Sequence, residues 1–423
     1  MALALRNSLT GRLEPFESRE PGEVRIFTCG PSTYRRPHIG NYRSFLYEDV
    51  LVRYLEYLGY TVHRVINFTD VEDKTVIEAA EQGESIGAVT SRVQSRFFEE
   101  SELLGLKLPE RIPRATQSVD TAVEIIQALV EKGYAYEHAG KYYFDAYRVK
   151  GFGRLYGLDT SRWPSRRIRF GRDTYEGRRW NLGDFVLWHG EETGDTLPEG
   201  AVWSTEIGRG RPSWNVQDPA MIVANLGDQI DIQCGGVDNI YRHHDYNIAV
   251  MEAYSGREFA RYFLHGDHLV VNSEVMSKSK GNVLYPEHIL GKGYLPVHLR
   301  YFLLHEHYRS RLNFTWEYFE EMVARINRLR DMIATLVEDT GAESGKQPSL
   351  GLDEPGSDSQ NAAAGELQSA FEESMNADLS AGAAIEAIER FVSELPVSDM
   401  DRNDRLAVRE FLGRAQHVLG VLE

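Results

Sequence analysis

The chain has 423 residues, of which 42% are apolar, and it carries a formal net charge of −17. This length is enough for two or three domains. No apolar run is long enough to cross a bilayer, no leader peptide is evident, and two cysteines exclude a disulfide framework, so we expect a cytoplasmic protein. The acidic balance gives nucleic-acid binding no general support.

The first part of the chain predicts one half of a nucleotide-binding sheet. Residues 24–27 predict a short buried strand, residues 42–57 a helix with regularly spaced apolar side chains, and residues 60–66 a second strand. A loop rich in glycine and proline precedes the helix and ends in His38-Ile-Gly-Asn41. A strand, such a loop and a helix N-terminus together favour a bound phosphate.

We divide the whole chain into four parts. Residues 1–75 form the first half of the nucleotide-binding domain, and residues 76–210 an insertion. Residues 211–314 form the second half, with strands expected near 230–234, 261–265 and 268–272. Residues 315–423 predict a helical bundle, interrupted at 338–365 by a flexible linker rich in Gly, Ser, Asp, Glu and Pro.

A second informative stretch is Val275-Met-Ser-Lys-Ser-Lys-Gly-Asn282, which predicts an exposed loop. His38-Ile-Gly-Asn41 and this second stretch, in that order along the chain, resemble the HIGH and KMSKS signatures of class I aminoacyl-tRNA synthetases. Three further blocks narrow the resemblance to cysteinyl-tRNA synthetases: residues 29–34, residues 67–74, and residues 231–238 followed by His243-His244. The resemblance implies an α/β fold, a Rossmann-type doubly wound parallel sheet with a connective insertion, followed by an α-helical bundle.

The resemblance also implies a reaction, in which ATP, with Mg²⁺, activates an amino acid as an aminoacyl-adenylate. It assigns catalytic roles to His38, Asn41 and Lys278, with Lys280 as an assistant. It assigns ATP binding to six residues: Gly40, Gly235, Gly236, Asp238, Met276 and Ser277. Val275 replaces the first lysine of the family's second signature. Taken alone, the two loops could also be a helix cap and a solvated surface turn.

The resemblance assigns the amino-acid pocket to Cys29, Tyr34, Thr69, Trp214, Asp218, Asp231, His243 and Asn247. Core packing is the alternative for Trp214. In the family, two cysteines, a histidine and a glutamate hold Zn²⁺. Cys29 and His243 are retained here, whereas Asp218 and Asn247 stand at the other two positions. Because asparagine is a poor zinc ligand and one thiolate is lost, we expect a degenerate site without zinc. A residual three-ligand zinc site is the alternative.

Three functions remain open. Our main hypothesis is a ligase that passes the acyl group to a small amine or another non-tRNA acceptor, as the related cysteine ligase of the mycothiol pathway does. The acidic charge, the altered metal site and the end of the sequence, where the family's anticodon-reading domain would begin, favour it. The altered pocket also favours an amino acid other than cysteine. The alternatives are a divergent cysteine–tRNA ligase, with tRNA as acceptor, and a non-catalytic nucleotide-binding paralogue.

Overall fold

A computed structural model describes residues 2–162, 184–191, 197–338, 362–395 and 400–423. Its strands are β1 (Ala4–Asn7), β2 (Arg12–Pro15), β3 (Glu23–Thr28), β4 (Thr61–Ile66), β5 (Ala135–His138), β6 (Lys141–Phe144), β7 (Phe185–Gly190), β8 (Trp203–Thr205), β9 (Gly208–Pro212), β10 (Ile230–Gly236), β11 (Ala260–Gly266), β12 (Leu269–Val271), β13 (Glu274–Val275) and β14 (Leu312–Phe314).

Its helices are α1 (Ile39–Tyr57), α2 (Asp73–Gln82), α3 (Ile86–Leu103), α4 (Val119–Glu131), α5 (Trp214–Leu226), α6 (Val237–Asn239), α7 (Asp245–Ser255), α8 (Pro286–Leu290), α9 (Pro296–Leu304), α10 (Trp316–Glu338), α11 (Ala362–Asn376), α12 (Ala381–Glu394) and α13 (Arg402–Leu419). A π-helical turn, Ile240–His244, joins α6 to α7. None of the described helices combines the length and apolar character needed to span a membrane.

The central sheet has four parallel strands in the order β11-β10-β3-β4. The chain passes from β3 through α1 to β4 on one side, and from β10 through α7 to β11 on the other. The strand order therefore reverses between β3 and β10, and such a reversal opens a ligand crevice at the carboxyl ends of the strands. This is the doubly wound parallel sheet predicted from the sequence.

Alternate residues of β3 face opposite sides of this sheet, as the two-residue period of a strand requires. Ile26 joins the core that includes Leu46 of α1. Phe27 joins a second core that includes Met221 of α5 and Met251 of α7. Helices thus cover both faces, which explains why the neighbouring residues Ile26 and Phe27 are both fully buried.

The C-terminal helices pack directly against α1. The core on the α1 side of the sheet continues into the bundle, where it includes Leu51 of α1, Phe371 of α11 and Val418 of α13. Arg300 of α9 forms a buried ion pair with Asp49 of α1 at 2.7 Å. The predicted helical region after the sheet is confirmed. Most of the predicted linker, residues 339–361, lies outside the described residues.

The segment between the two halves of the sheet carries an antiparallel sheet in the order β5-β6-β7-β9-β8. Helical patterns in residues 75–81 and 119–130 of the sequence predict α2 and α4, but the sequence-based prediction missed α3. It also missed α5, which begins at the N-cap Ser213 and contains Pro219 in its interior. The four-part division of the chain stays a prediction.

Candidate active site

A cavity of about 520 Å³ opens at the carboxyl ends of β3 and β10. The loop after β3, the start of α1, the end of β10 and the loop after β13 all contribute to its walls. Thirteen of the predicted site residues line it: Cys29, Tyr34, His38, Asn41, Thr69, Trp214, Asp218, Gly235, Gly236, Asp238, His243, Met276 and Ser277. The two signature loops, which begin at His38 and Val275 and lie far apart in the sequence, therefore meet in one cavity.

His38 is both the N-cap of α1 and a wall of the cavity. Its ring Nδ1 accepts a hydrogen bond from the backbone N–H of Asn41 at 3.3 Å, and the Asn41 side chain accepts one from the His38 backbone N–H at 2.9 Å. This reciprocal cap leaves Nε2 as the donor of a neutral ring. Burial lowers the pKa of His38 below its ordinary value, so the neutral form persists near pH 7. The helix-cap interpretation and the catalytic interpretation are therefore compatible.

The loop after β13 lies against the start of α1. A Cβ added at Gly40 would come within 2.9 Å of the Met276 Cε methyl, so Gly40 contacts this loop rather than the nucleotide space directly. The Ser277 backbone N–H donates to Asn282 Oδ1 at 2.8 Å, and the Asn282 amide donates to the Val275 carbonyl at 3.2 Å. These bonds hold Met276 and Ser277 at the cavity wall.

The two lysines of this loop differ. The ammonium of Lys280 pairs with Glu274 at 3.1 Å, both side chains are largely exposed, and Lys280 does not line the cavity. The structure therefore does not bring Lys280 to the cavity wall, and its role as a catalytic assistant stays a prediction. The side chain of Lys278 lies outside the described part of the chain, and its catalytic role stays a prediction.

The end of β10 requires glycine. A Cβ at Gly235 would come within 2.9 Å of the His244 ring, and one at Gly236 within 2.5 Å of Asp238. The Tyr47 hydroxyl donates to the Gly235 carbonyl at 2.8 Å and accepts from its N–H at 3.1 Å. This part of the cavity wall is therefore backbone, with the Asp238 carboxylate beside it, an arrangement suited to a nucleoside.

Asp231 does not belong to the site. It is the second residue of β10 and therefore lies at the amino end of the strand, opposite the cavity. Its carboxylate accepts hydrogen bonds from the backbone N–H groups of Arg19 at 2.6 Å and Arg25 at 2.8 Å. The structure does not bring it to the predicted amino-acid pocket, because its two oxygens connect β10 to β3 and to the segment before β3.

Asp218 of α5 is the centre of the predicted amino-acid pocket. Its Oδ1 accepts from the Asn67 amide at 2.9 Å, and its Oδ2 lies 2.8 Å from His243 Nε2. The Asn247 amide donates to Oδ2 at 3.3 Å from behind, and Asn247 does not line the cavity. The Trp214 ring stacks on His243 with a centroid distance of 4.7 Å and remains 40% exposed, so core packing does not explain it.

Cys29 lies beside this pair. Its Sγ is 3.8 Å from Asp218 Oδ2, 3.8 Å from His243 Nε2 and 3.1 Å from His244 Nε2. Burial, and then the negative charge of Asp218, raise the pKa of the Cys29 thiol well above its ordinary value. Donor atoms of Cys29, His243 and His244 lie within 4.8 Å of one another, a spacing that a metal ion could use.

His244 also belongs to this cluster, although the sequence did not predict it as a site residue. Its Nδ1 is 2.8 Å from His265 Nε2, and His265 Nδ1 is 2.8 Å from the Ser8 hydroxyl. Burial lowers the pKa of both rings, that of His265 to about 3, so both are neutral at pH 7. A hydrogen-bonded row therefore connects the Cys29 thiol to Ser8. Its only signal in the sequence is the position of His244 next to His243.

Comparisons with known proteins show which family the chain resembles. The family profile described as tRNA synthetases class I (C) catalytic domain matches residues 15–324. The chain is 39% identical over 345 residues to the cysteine–tRNA ligase of Geobacillus thermodenitrificans, covering 81% of this chain and 71% of that protein. It is 35% identical over 437 residues to the cysteine–tRNA ligase of Chlamydia muridarum, covering 100% and 88% respectively.

Solved structures extend the similarity to the fold. A crystal structure of Mycobacterium tuberculosis methionyl-tRNA synthetase bound to methionyl-adenylate superposes with a TM-score of 0.63 at 16% identity, covering 94% of this chain and 92% of that one. A leucyl-tRNA synthetase of Agrobacterium radiobacter K84 in a ternary complex gives a TM-score of 0.67 at 12% identity, covering 96% and 85%. At these identities the likeness shows the Rossmann-type fold alone.

These findings correct the main functional hypothesis. Relatives named cysteine–tRNA ligase match most of the chain at 34–39% identity, so a non-tRNA acceptor such as a small amine is not supported, and the tRNA alternative is favoured. The predicted enzyme type is confirmed: the chain is an ATP-dependent, adenylate-forming ligase. The chain belongs to the family of class I tRNA synthetases with a catalytic domain of the cysteine type.

Proposed function

We propose that this chain activates cysteine with ATP and transfers the cysteinyl group to tRNA. The observation that carries the proposal is the meeting of both signature loops in one cavity, with His38 and Asn41 on one wall and Met276 and Ser277 on another. Relatives named cysteine–tRNA ligase cover this chain over most of its length, which supports both the amino acid and the acceptor.

The first step joins the amino-acid carboxylate to the α-phosphate of ATP and expels pyrophosphate. A carboxylate oxygen forms the new O–P bond as the bond from the α-phosphorus to the bridging oxygen breaks. Hydrogen-bond donors fixed in advance stabilise the charge that develops on the phosphate oxygens. His38 Nε2–H, the Asn41 side chain and the N-terminus of α1 can supply such donors. Mg²⁺, which accompanies ATP, would neutralise charge on the phosphates.

The adenosine half of ATP suits the end of β10. Gly235 and Gly236 present backbone there, and any side chain at either position would collide with a neighbouring group. The Asp238 carboxylate lines the same part of the cavity and can accept hydrogen bonds from ribose hydroxyls. The amino acid then occupies the part of the cavity lined by Tyr34 and Thr69, next to Cys29.

The donor set around Cys29 does not reproduce the family's zinc site. Asn247 turns its amide N–H toward Asp218, so it donates a hydrogen bond where the family has a glutamate ligand. The Asp218 carboxylate is already held by Asn67, Asn247 and His243. One of the family's two thiolates is missing, and the carboxylate and amide oxygens that stand at the other two positions are harder ligands than a thiolate, so they bind zinc less selectively. In our proposal, Asp218 and His243 therefore contact the substrate side chain by hydrogen bonds, without zinc.

This pocket has a consequence for selectivity. A thiol and a hydroxyl can both donate a hydrogen bond to Asp218, whereas a thiolate bound to zinc excludes the hydroxyl. A hydrogen-bonding pocket rejects an analogue strongly only when a buried polar group would lose its partner. Asp218 keeps three protein partners whichever side chain enters, so discrimination between cysteine and serine is weaker than a metal would give.

The test is ATP–pyrophosphate exchange with each common amino acid, followed by charging of unfractionated tRNA, with zinc measured in the same protein. We expect exchange with cysteine, charging of tRNA and substoichiometric zinc. Lys278→Ala should reduce exchange strongly, because it removes the cation expected at the phosphates. Lys280→Ala is the matched comparison: its ammonium pairs with Glu274 and does not line the cavity, so exchange should fall less than in Lys278→Ala.

Two results would contradict the proposal. Exchange with cysteine but no acylation of any tRNA would remove the acceptor. No exchange with cysteine, under conditions in which another amino acid reacts, would remove the amino acid while leaving adenylate formation intact. Stoichiometric zinc in active protein would overturn only the metal-free pocket.

A further inference from the structure

We propose that Arg35 and Lys74, held against the ring of Tyr34 at the rim of the cavity, bind phosphates of the single-stranded 3′ end of tRNA. The inference rests on the proposed function and adds to it the surface by which the acceptor approaches. None of these three residues is among the predicted catalytic residues, and the sequence did not predict Arg35 or Lys74 as site residues.

The three side chains form one cluster. The Arg35 guanidinium carbon lies 5.2 Å from the centroid of the Tyr34 ring, and the Lys74 ammonium lies 5.2 Å from the same centroid. The Lys74 ammonium is also 3.5 Å from the Tyr34 hydroxyl. Cations within about 6 Å of an aromatic centroid are attracted to the ring, which here holds both of them on the cavity rim.

These two cations differ from Arg36, the other cation of the loop that carries Arg35. Arg36, which follows Arg35, pairs with Glu100 and, at 2.7 Å, with Glu287, so its charge is neutralised and it connects the loop after β3 to α3 and α8. Within the described ranges, no carboxylate forms an ion pair with Arg35 or Lys74 at 4.0 Å or less. Both side chains are exposed and both line the cavity. Their charge is therefore available to an anion that approaches from solvent.

The chain as a whole repels a polyanion. Its net charge of −17 opposes the approach of tRNA, so a local cationic feature must set where the acceptor enters. Single-stranded nucleic acid is held by cations that follow the phosphates and by aromatic rings near the bases. Tyr34, Arg35 and Lys74 combine both elements at the entrance to the cavity in which the adenylate forms.

Position along the loop favours tRNA over ATP as the partner of these cations. Tyr34 lies between Cys29, at the amino-acid pocket, and His38, at the expected α-phosphate. Arg35 and Lys74 are exposed and contact the Tyr34 ring, whereas His38, Asn41 and Ser277 are the groups to which we assign the nucleotide. An incoming 3′ end has to pass this rim to reach an aminoacyl group held deeper in the cavity.

The experiment compares Arg35→Ala/Lys74→Ala with Arg92→Ala/Arg96→Ala. The control pair removes the same charge from exposed positions on α3, where both arginines pair with glutamates. Binding of labelled unfractionated tRNA is measured at several salt concentrations, and ATP–pyrophosphate exchange is measured without tRNA. We expect Arg35→Ala/Lys74→Ala, the rim variant, to bind tRNA about tenfold more weakly. The slope of log affinity against log salt concentration should become shallower by about 1.4, because each lost phosphate contact to a single strand contributes about 0.7.

Exchange without tRNA should stay within about twofold of wild type in the rim variant, since neither side chain is assigned to the nucleotide. The charge-retaining Arg35→Lys/Lys74→Arg variant should keep most of the tRNA affinity. An increase in the KM for ATP with unchanged tRNA binding would overturn the inference in favour of the nucleotide phosphates. A rim variant that behaves like the α3 control would overturn it in favour of a solvated surface. Loss of exchange in wild type would instead remove the proposed function.

Discussion

Gly40 lies directly against Met276, so close that a Cβ at position 40 would come within 2.9 Å of the methionine Cε. This contact joins the start of α1 to the loop after β13, which carries Ser277 and Lys278. Because Met276 is held between Gly40 and a loop whose backbone is fixed by Asn282, the two signature loops constrain one another.

Substitution of Gly40 by alanine should therefore impair adenylate formation without unfolding the protein. Overpacking of this kind costs about 1–3 kcal/mol, which corresponds to a loss of about 5- to 150-fold in kcat/KM for ATP if it falls on the catalytic loop. The measurement is ATP–pyrophosphate exchange at varied ATP concentration, with thermal unfolding recorded on the same protein.

Gly87→Ala in α3 is the matched control, since the nearest group to its Cβ is the Ser85 hydroxyl at 3.9 Å. Met276→Ala combined with Gly40→Ala should recover part of the loss by removing the obstructing methyl. Unchanged kinetics in Gly40→Ala would show that Met276 shifts without cost and that the two loops are not coupled through this contact.

His38 should give the exchange reaction an acid limb below pH 6.5. Burial lowers the pKa of its imidazole, so the neutral, active ring predominates from pH 8 to about pH 6.5 and is lost as pH falls through the lowered value. Protonation of Nδ1 would also remove the acceptor for the Asn41 N–H. The measurement is the pH dependence of exchange at saturating ATP.

His38→Asn separates the two roles of this residue. Asparagine is a good N-cap, so α1 should remain stable, but the ring donor is lost. We expect exchange to fall by about 10²–10³-fold, with the acid limb abolished and the melting temperature little changed. An acid limb that persists in His38→Asn would assign it to another group.

Metal removal should leave the wild-type enzyme active. Treatment with a chelator followed by dialysis is expected to keep ATP–pyrophosphate exchange with cysteine unchanged, because Asp218 and His243 form their contacts with each other and with Asn67 rather than through a metal. The Asp218→Cys/Asn247→Glu variant restores the family's soft and anionic donors beside Cys29 and His243. It should retain stoichiometric zinc after dialysis.

Asp218→Asn is the matched control for that variant. It keeps the size of the side chain but removes the charge opposite His243, so cysteine activation should fall while the zinc content stays low. Cobalt substitution gives a second readout, since a thiolate-bound cobalt absorbs where a hydrogen-bonded pocket does not. Loss of wild-type activity on chelation, restored by zinc, would show that three ligands suffice.

The parts of the fold that were predictable have strong local patterns. Strand β3, helix α1 and strand β4 follow from apolar runs and helical spacing around one loop, and the structure shifts their limits by only a few residues. Helix α5 was missed because residues Asn215 to Ile222 are buried on every side, which removes the amphipathic period, and because Pro219 lies in its interior.

Site residues that belong to one short motif were predictable from the sequence. Residues whose place in the site depends on their position along a strand, or on which strands pair, were not. His38 and Asn41 fall on the cavity wall because one short loop carries them. Asp231 is in a recognisable block, but its distance from the end of β10 decides its contacts, and only the fold shows that it faces Arg19 and Arg25. His265 joins the site through pairing of β10 with β11, a contact without a local signal.

The ion pair between Asp49 and Arg300 predicts the largest effect on stability. Both side chains are almost completely buried, at 0% and 3% exposure, and the Arg300 guanidinium also donates to the carbonyls of Leu104 and Leu419. Burial raises the pKa of Asp49, but the charges of Arg300 and Arg53 outweigh burial and hold that pKa below its ordinary value. The pair is therefore charged at pH 7. Asp49→Ala leaves the Arg300 charge buried without a carboxylate partner. Only backbone carbonyls and the cation Arg53 remain near it, so the free energy of unfolding should fall by about 3–5 kcal/mol.

Urea unfolding at pH 7 measures this loss as a lower midpoint. Arg92→Ala breaks an exposed pair with Glu84 and should change stability by no more than about 1 kcal/mol. The double variant Asp49→Ala/Arg300→Met should be more stable than Asp49→Ala, since it removes the uncompensated charge. Because α1 carries both Asp49 and the catalytic N-terminus, Asp49→Ala should also lower the temperature at which exchange activity is lost. A midpoint equal to that of Arg92→Ala would show that the bundle and the nucleotide-binding sheet are held together by their shared apolar core alone.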